Sequence, residues 1–142
     1  MRATIAFFAL ATAACTSTSP GSNAAKLTVE FSWDNVRPCS RESPPIKVFN
    51  APAGTARLKI ELVDIDTMFS NHGGGEVDYK GELVPAGALR NYNGPCPVGG
   101  KTTSSTRYEF RVTALDARGA VLGYGTASNS YTPPRLAPGM RR

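Results

Sequence analysis

The sequence predicts an all-β fold, an antiparallel sandwich or barrel formed by one domain. Glycine and proline are abundant, with 14 and 11 residues in a chain of 142, and both are unfavourable inside helices. Several segments alternate apolar and polar residues with the period of a half-buried strand, and no segment keeps a helical period. Because 41% of the residues are apolar, the chain can form one packed core and is not a disordered chain.

Strands are predicted from this alternation and from the turn residues between them. In the clearest case, which begins at Arg57, Leu58, Ile60 and Leu62 face one side and charged residues the other. Turns are expected at Asn-Ala-Pro-Ala-Gly-Thr and at Asp-Ala-Arg-Gly, because these residues suit tight turns. The predicted strands are residues 27–31, 46–49, 57–63, 76–79, 108–115 and 120–124.

The N-terminal residues are typical of a secretory signal peptide, predicted for residues 1–15. Their apolar run is shorter than the roughly 20 residues that a membrane-spanning helix needs. Ala13-Ala14-Cys15 resembles the lipobox of bacterial lipoproteins, whose cysteine is lipidated, so we expect membrane attachment through Cys15. The alternative is ordinary cleavage at a small residue before Ala24, with Cys15 discarded.

The remaining ends are predicted to be extended, with a flexible tether over residues 16–26 and a disordered, basic, Pro-rich tail over residues 132–142. The β-sandwich domain is expected over residues 27–131. The formal charge of +5 comes largely from the ends, because four of the 16 cations lie there. Without these four, twelve cations face eleven anions, so nucleic acid is not an expected partner. The four are Arg2, Arg135, Arg141 and Arg142.

Cysteine usage favours an oxidising compartment. The chain has three cysteines, and if Cys15 is lipidated or removed, Cys39 and Cys96 remain as one pair. We therefore expect a disulfide between Cys39 and Cys96 in a protein of the bacterial cell envelope, periplasmic or membrane-anchored, or in a secreted protein. The alternative is two free thiols in a cytosolic protein. One histidine and two distant cysteines are a poor ligand set, so no metal and no cofactor are expected.

Two polar segments between predicted strands are candidates for a binding site. In the first, Asp64 and Asp66 end a strand and His72, the only histidine, precedes three glycines in a predicted loop. This segment is interpreted either as one wall of a small polar pocket or as a surface turn with a solvated histidine. The second segment, residues 92–100, is rich in proline and glycine, and a plain hairpin loop is its alternative.

These segments carry a resemblance to the phosphatidylethanolamine-binding protein family, specifically its bacterial Raf-kinase-inhibitor-like branch. Residues 43–55 resemble that family's Ser-Pro segment and Pro-Ala-Gly-Thr turn, and residues 64–72 its paired aspartates and His-bearing loop. Gly-Pro-Cys-Pro at residues 94–97, followed by Arg-Tyr and Ala-Leu-Asp, resembles its Gly-Pro-x-Pro, His-Arg-Tyr and Ala-Leu-Asp motifs. The match covers roughly residues 39 to 127.

The resemblance implies an antiparallel β-sandwich of Greek-key type, with a small anion pocket at one end. An anion requires hydrogen-bond donors, which an imidazole, a phenol and main-chain N–H groups supply. A small anionic or phospholipid-like ligand is therefore the expected partner. The pocket residues that the resemblance implies are Asp64, Asp66, His72, Gly94, Pro95, Pro97 and Tyr108.

Three classes of function are compatible with these features. The first is an exported, non-catalytic binding protein that holds a small anion or a phospholipid head group. The alternative is a structural, protein-interaction or inhibitor module of the envelope with a degenerate pocket and an unidentified protein partner. Catalysis is not expected, because no serine has the context of an activated nucleophile and one histidine would have to serve every role.

Overall fold

A computed structural model describes residues 23–67, 70–96 and 105–134, which form two β-sheets around one core. No helix is present in these residues, so the predicted all-β sandwich is confirmed. The strands are β1 (Ala25–Lys26), β2 (Thr28–Phe31), β3 (Ile46–Phe49), β4 (Arg57–Asp64), β5 (Ser70–Asp78), β6 (Leu83–Val84), β7 (Asn91–Tyr92), β8 (Thr106–Leu115) and β9 (Val121–Tyr131).

The larger sheet has the strand order β1-β9-β8-β4-β5-β7, and the smaller has the order β2-β3-β6. Within the larger sheet, β8 returns to lie beside β4 after the chain has passed through β5 and β7. This order, β8-β4-β5-β7, is that of a Greek key, with an excursion to β6 before β7. All pairings are antiparallel except β1 with β9, where the chain entering the domain runs parallel to β9.

The core lies between the two sheets and is formed by the apolar residues of the alternating strands. Leu58, Ile60 and Leu62 of β4 are fully buried, as the alternation predicts. On the neighbouring strand β8, Tyr108 and Phe110 face the same side, beside Asp64 and Leu62 respectively. Val29, Ile46 and Val48 contribute the opposite wall from the smaller sheet. The core face of the larger sheet therefore ends at Asp64 and Tyr108.

The structure differs from the prediction at several boundaries. The predicted tether ends earlier than expected, because Ala25 and Lys26 already pair with β9. The last predicted strand continues from Tyr124 to Tyr131, because it pairs with β8 along that strand's whole length. The predicted signal peptide with Cys15, the tether up to residue 22 and residues 135–142 of the tail lie outside the described residues.

Candidate functional site

The Gly-rich segment around His72 is a strand, so the prediction of a loop there is wrong. Residues 70–78 form β5, which pairs with β4 on one side and with β7 on the other. Glu61 pairs with Gly74 and Val63 pairs with Asn71, so Leu62 faces an extra residue on β5. This is a β-bulge, a feature that bends a strand and re-aims side chains. The bulge turns the side chain of His72 towards the end of the core.

Two of the three glycines are explained by the close approach of neighbouring strands. Gly73 has a φ of 78°, and a Cβ atom there would collide with the carbonyl oxygen of Asn91 on β7. A Cβ atom on Gly74 would collide with the carbonyl oxygen of Ile60 on β4. Glycine is therefore required at the bulge because the backbones of β4 and β7 press on β5 from both sides. The sequence indicated a close approach but could not name the approaching group.

The imidazole of His72 is fixed by the segment that follows β7. Its Nδ1 atom lies 3.1 Å from the carbonyl oxygen of Asn93 and 3.1 Å from that of Gly94. The main-chain N–H of Asn93 in turn donates to the carbonyl oxygen of His72 at 2.8 Å. Because a carbonyl oxygen only accepts hydrogen bonds, Nδ1 carries a proton and Nε2 is the ring nitrogen left for a further partner.

Tyr108 lies against this ring and contributes a buried hydroxyl group. The ring centroids of His72 and Tyr108 are 5.2 Å apart in an edge-to-face arrangement. The Tyr108 hydroxyl makes no hydrogen bond of good geometry among the described residues. Burial, and then the negative charge of Asp64, raise the pKa of Tyr108 to about 12, although the Cys96 main-chain N–H acts in the opposite direction. At neutral pH the phenol therefore keeps its proton and can donate it to an acceptor.

The segment from Asn93 to Cys96 is held in place by a disulfide and two main-chain hydrogen bonds. The predicted bridge between Cys39 and Cys96 is confirmed. Beside it, the N–H of Cys39 donates to the carbonyl oxygen of Pro95 at 2.8 Å, and the N–H of Gly94 donates to that of Ser40 at 2.7 Å. The bridge therefore fixes the same carbonyl-bearing segment that holds the imidazole of His72.

The two predicted aspartates lie near this site but hold other groups. Asp64 is buried, and its Oδ1 accepts hydrogen bonds from the N–H groups of Asp66 and Thr67 at 2.9 and 3.0 Å. Asp66 forms a two-pronged ion pair with the Arg107 guanidinium, at 2.9 Å to Nε and 2.8 Å to a terminal nitrogen. Hydrogen bonds from the main chain and then the side chain of Arg107 lower the pKa of Asp66.

Neither aspartate is hydrogen-bonded to His72 in the described part of the chain, because the ring donates to main-chain carbonyls instead. Main-chain carbonyl groups, and not a carboxylate, therefore orient this imidazole. Of the other predicted site residues, Gly94 contacts the ring through its carbonyl oxygen, and the carbonyl oxygen of Pro95 accepts a hydrogen bond from the N–H of Cys39. Pro97 lies outside the described residues. Asn93 was not predicted as a site residue. It contacts His72 through its main-chain carbonyl group, which every residue carries and which therefore leaves no signal in the sequence.

Three open clefts lined by described residues do not include His72 or Tyr108. No group of three or more potential metal ligands occurs in the described ranges. Those ranges also contain no helix with the length and apolar character needed to cross a bilayer. What the site offers chemically is one ring nitrogen, one buried phenolic donor and a rigid main-chain segment.

Comparison with known proteins shows similarity to solved structures but to no family model. No protein-family model matches the chain, and no curated protein sequence matches it. The chain is similar in structure to a protein described as a phosphatidylethanolamine-binding protein homologue from Chlamydia trachomatis, with 18% sequence identity and a TM-score of 0.49. The match covers 78% of this chain and 98% of that one.

Proposed function

We propose that this protein is an exported, non-catalytic binding protein that holds a small anion or a phosphate-bearing head group between His72 and Tyr108. The observation that carries the proposal is the buried Tyr108 hydroxyl, which makes no hydrogen bond of good geometry among the described residues and lies beside the only imidazole of the chain. An unmade hydrogen bond in a buried position costs about 1–3 kcal/mol. A ligand oxygen that accepts from this hydroxyl would recover that cost.

The state of His72 determines what the site binds. Because Nδ1 already donates to the carbonyls of Asn93 and Gly94, a neutral ring offers only the acceptor Nε2. Protonation converts Nε2 into a charged donor, and a hydrogen bond from a charged donor to an anion is about twice as strong as a neutral one. Anion binding should therefore be stronger with a charged ring than with a neutral one.

The contacts favour binding over catalysis. No described serine, threonine or cysteine is hydrogen-bonded to the ring of His72. A nucleophile activated by histidine requires such a contact, and Nδ1 is already occupied by two carbonyl groups. The site therefore resembles a recognition site more than the base of a nucleophilic enzyme.

Export is proposed from the signal-like N-terminus, and the disulfide supports an oxidising compartment. The strand register also shows which end of β1 lies nearer to Tyr108. Ala25 lies level with Gly123 and Ala114, six residues from Tyr108 along β8, a distance of about 20 Å. β1 runs towards the Tyr108 end of the sheet, so Ala25 is the end of β1 that lies farther from Tyr108.

Calorimetric titration with O-phosphoethanolamine and with inorganic phosphate tests the proposal. We expect binding by the natural protein and an affinity at least tenfold lower in His72→Gln, whose side chain cannot become charged. Lys47→Gln is the matched control, because it removes a positive charge from an exposed position on β3. Equal affinity in the natural protein and His72→Gln, or no binding by either, would overturn the proposal.

A further inference from the structure

One of the three open clefts lies on the segment that joins β2 to β3. Its volume is about 470 Å³, within the range of about 300–1,000 Å³ typical of small-molecule sites. It is lined by three charged residues, a buried serine and an apolar wall that includes two prolines: Asp34, Arg37, Glu42, Ser43, Pro44 and Pro45. None of the residues proposed above to bind an anion lines it.

The buried serine of this cleft has an unused hydroxyl group. Ser43 is 1% exposed, and its Oγ atom has no hydrogen-bond partner among the described residues. Its carbonyl oxygen, by contrast, accepts a hydrogen bond from the N–H of Gly87 at 2.9 Å. The main chain of Ser43 is therefore satisfied, while its buried side-chain hydroxyl has no hydrogen-bond partner among the described residues.

The charged side chains of the cleft form no ion pair with any described residue. Every Asp and Glu of the chain lies in the described ranges, and none of them forms an ion pair with Arg37. The carboxylate of Glu42 likewise has no cationic partner among the described residues, whereas that of Asp34 accepts a hydrogen bond from Ser32 at 2.6 Å. Within the described ranges, the cleft thus presents one guanidinium and one carboxylate without an ion-pair partner, and a second carboxylate that retains acceptor capacity.

The walls of the cleft are held by contacts to the rest of the domain. The hydroxyl of Tyr131 donates to the carbonyl oxygen of Val36 at 3.1 Å, and the N–H of Val36 donates to that of Trp33 at 3.1 Å. The disulfide fixes the segment at Cys39. A site fixed before binding loses less conformational entropy when it takes up a ligand.

We propose that this cleft binds a small zwitterion with one ammonium and one carboxylate group, in the class of free amino acids and dipeptides. Arg37 would pair with the ligand carboxylate, because a guanidinium matches the geometry of a carboxylate. Glu42, helped by Asp34, would accept the ammonium group, and Ser43 would complete a hydrogen bond at the buried wall. A purely anionic ligand would be repelled by the two carboxylates, and a purely cationic one would leave Arg37 unpaired. This site is independent of the function proposed for His72.

Titration with glycylglycine tests this inference, with N-acetylglycylglycine and glycylglycinamide as probes that lack one charge each. We expect glycylglycine to bind and each blocked probe to bind at least tenfold more weakly. Absence of glycylglycine binding, or equal binding of the three probes, would overturn the inference.

Variants then locate the site. Arg37→Gln, Glu42→Gln and Ser43→Ala should each weaken glycylglycine binding, while Lys47→Gln, at an exposed position on β3, should leave it unchanged. Thermal unfolding serves as the folding control, and Ser43→Ala should not lower stability because it removes a hydroxyl that has no partner in the described structure. Glycylglycine binding that is unchanged in Arg37→Gln or in Glu42→Gln would contradict the assignment.

Discussion

Replacement of the disulfide is the perturbation whose magnitude follows most directly from the structure. Cys39 and Cys96 are separated by 57 positions, so the double variant Cys39→Ser/Cys96→Ser frees a long loop in the unfolded chain. On the chain-entropy model, closing a loop of this length stabilises the folded state by about 4 kcal/mol. For a domain of this size, such a loss corresponds to a fall in Tm on the order of 15 °C or more.

Thermal and urea unfolding followed by circular dichroism measure this loss in the full chain. Reduction of the natural protein should reproduce the effect of the double variant, because both remove the same covalent link. The bridge also fixes the segment whose carbonyl groups hold His72, so phosphate affinity should fall in parallel. A loss of less than about 1 kcal/mol, well below the value from loop closure, would refute the reasoning.

Three further predictions follow from single contacts. Asp66→Asn should be less stable than the natural protein above about pH 4, because it loses the ion pair with Arg107. The difference should vanish as the pH falls through the lowered pKa of Asp66, because protonation breaks the same ion pair in the natural protein, and Tm measured against pH checks this. Tyr108→Phe should change the free energy of unfolding by less than about 1 kcal/mol while weakening phosphate binding, and a large loss of stability would show that the hydroxyl is already satisfied. Gly73→Ala should destabilise by about 2 kcal/mol or more in urea unfolding, whereas Gly81→Ala, also at positive φ but in open space, should cost less.

The strands that could be predicted from sequence are those whose pairing agrees with their side-chain pattern. β4 and β8 alternate over most of their length, and both bury the predicted face. β5 could not be predicted over its whole length, because the three glycines after His72 have no side chains and so show no alternation of apolar and polar residues. This strand is defined by its pairing with the backbones of β4 and β7. β6 and β7 have two residues each and are defined only by their partner strands. Local pattern could not reveal elements that are fixed by tertiary pairing.

The candidate site shows the same division. The sequence singled out His72, Tyr108 and the segment around Gly94, and the structure brings these three together. It could not show what holds the imidazole, because the acceptors are main-chain carbonyls with no side-chain signature. It also could not show that Asp66 pairs with a residue 41 positions away, since that contact depends on how the end of β4 meets β8.

Nuclear magnetic resonance of the His72 ring tests the central proposal most directly, because the chain has only one histidine. The structure predicts a protonated Nδ1 that stays hydrogen-bonded throughout a titration with inorganic phosphate. The proposal predicts that the signal of Nε2 shifts towards that of a charged donor as phosphate binds, in step with the calorimetric saturation. If the Nε2 signal is unchanged at saturating phosphate, or if Nδ1 proves to be the unprotonated nitrogen, the binding site proposed between His72 and Tyr108 is contradicted.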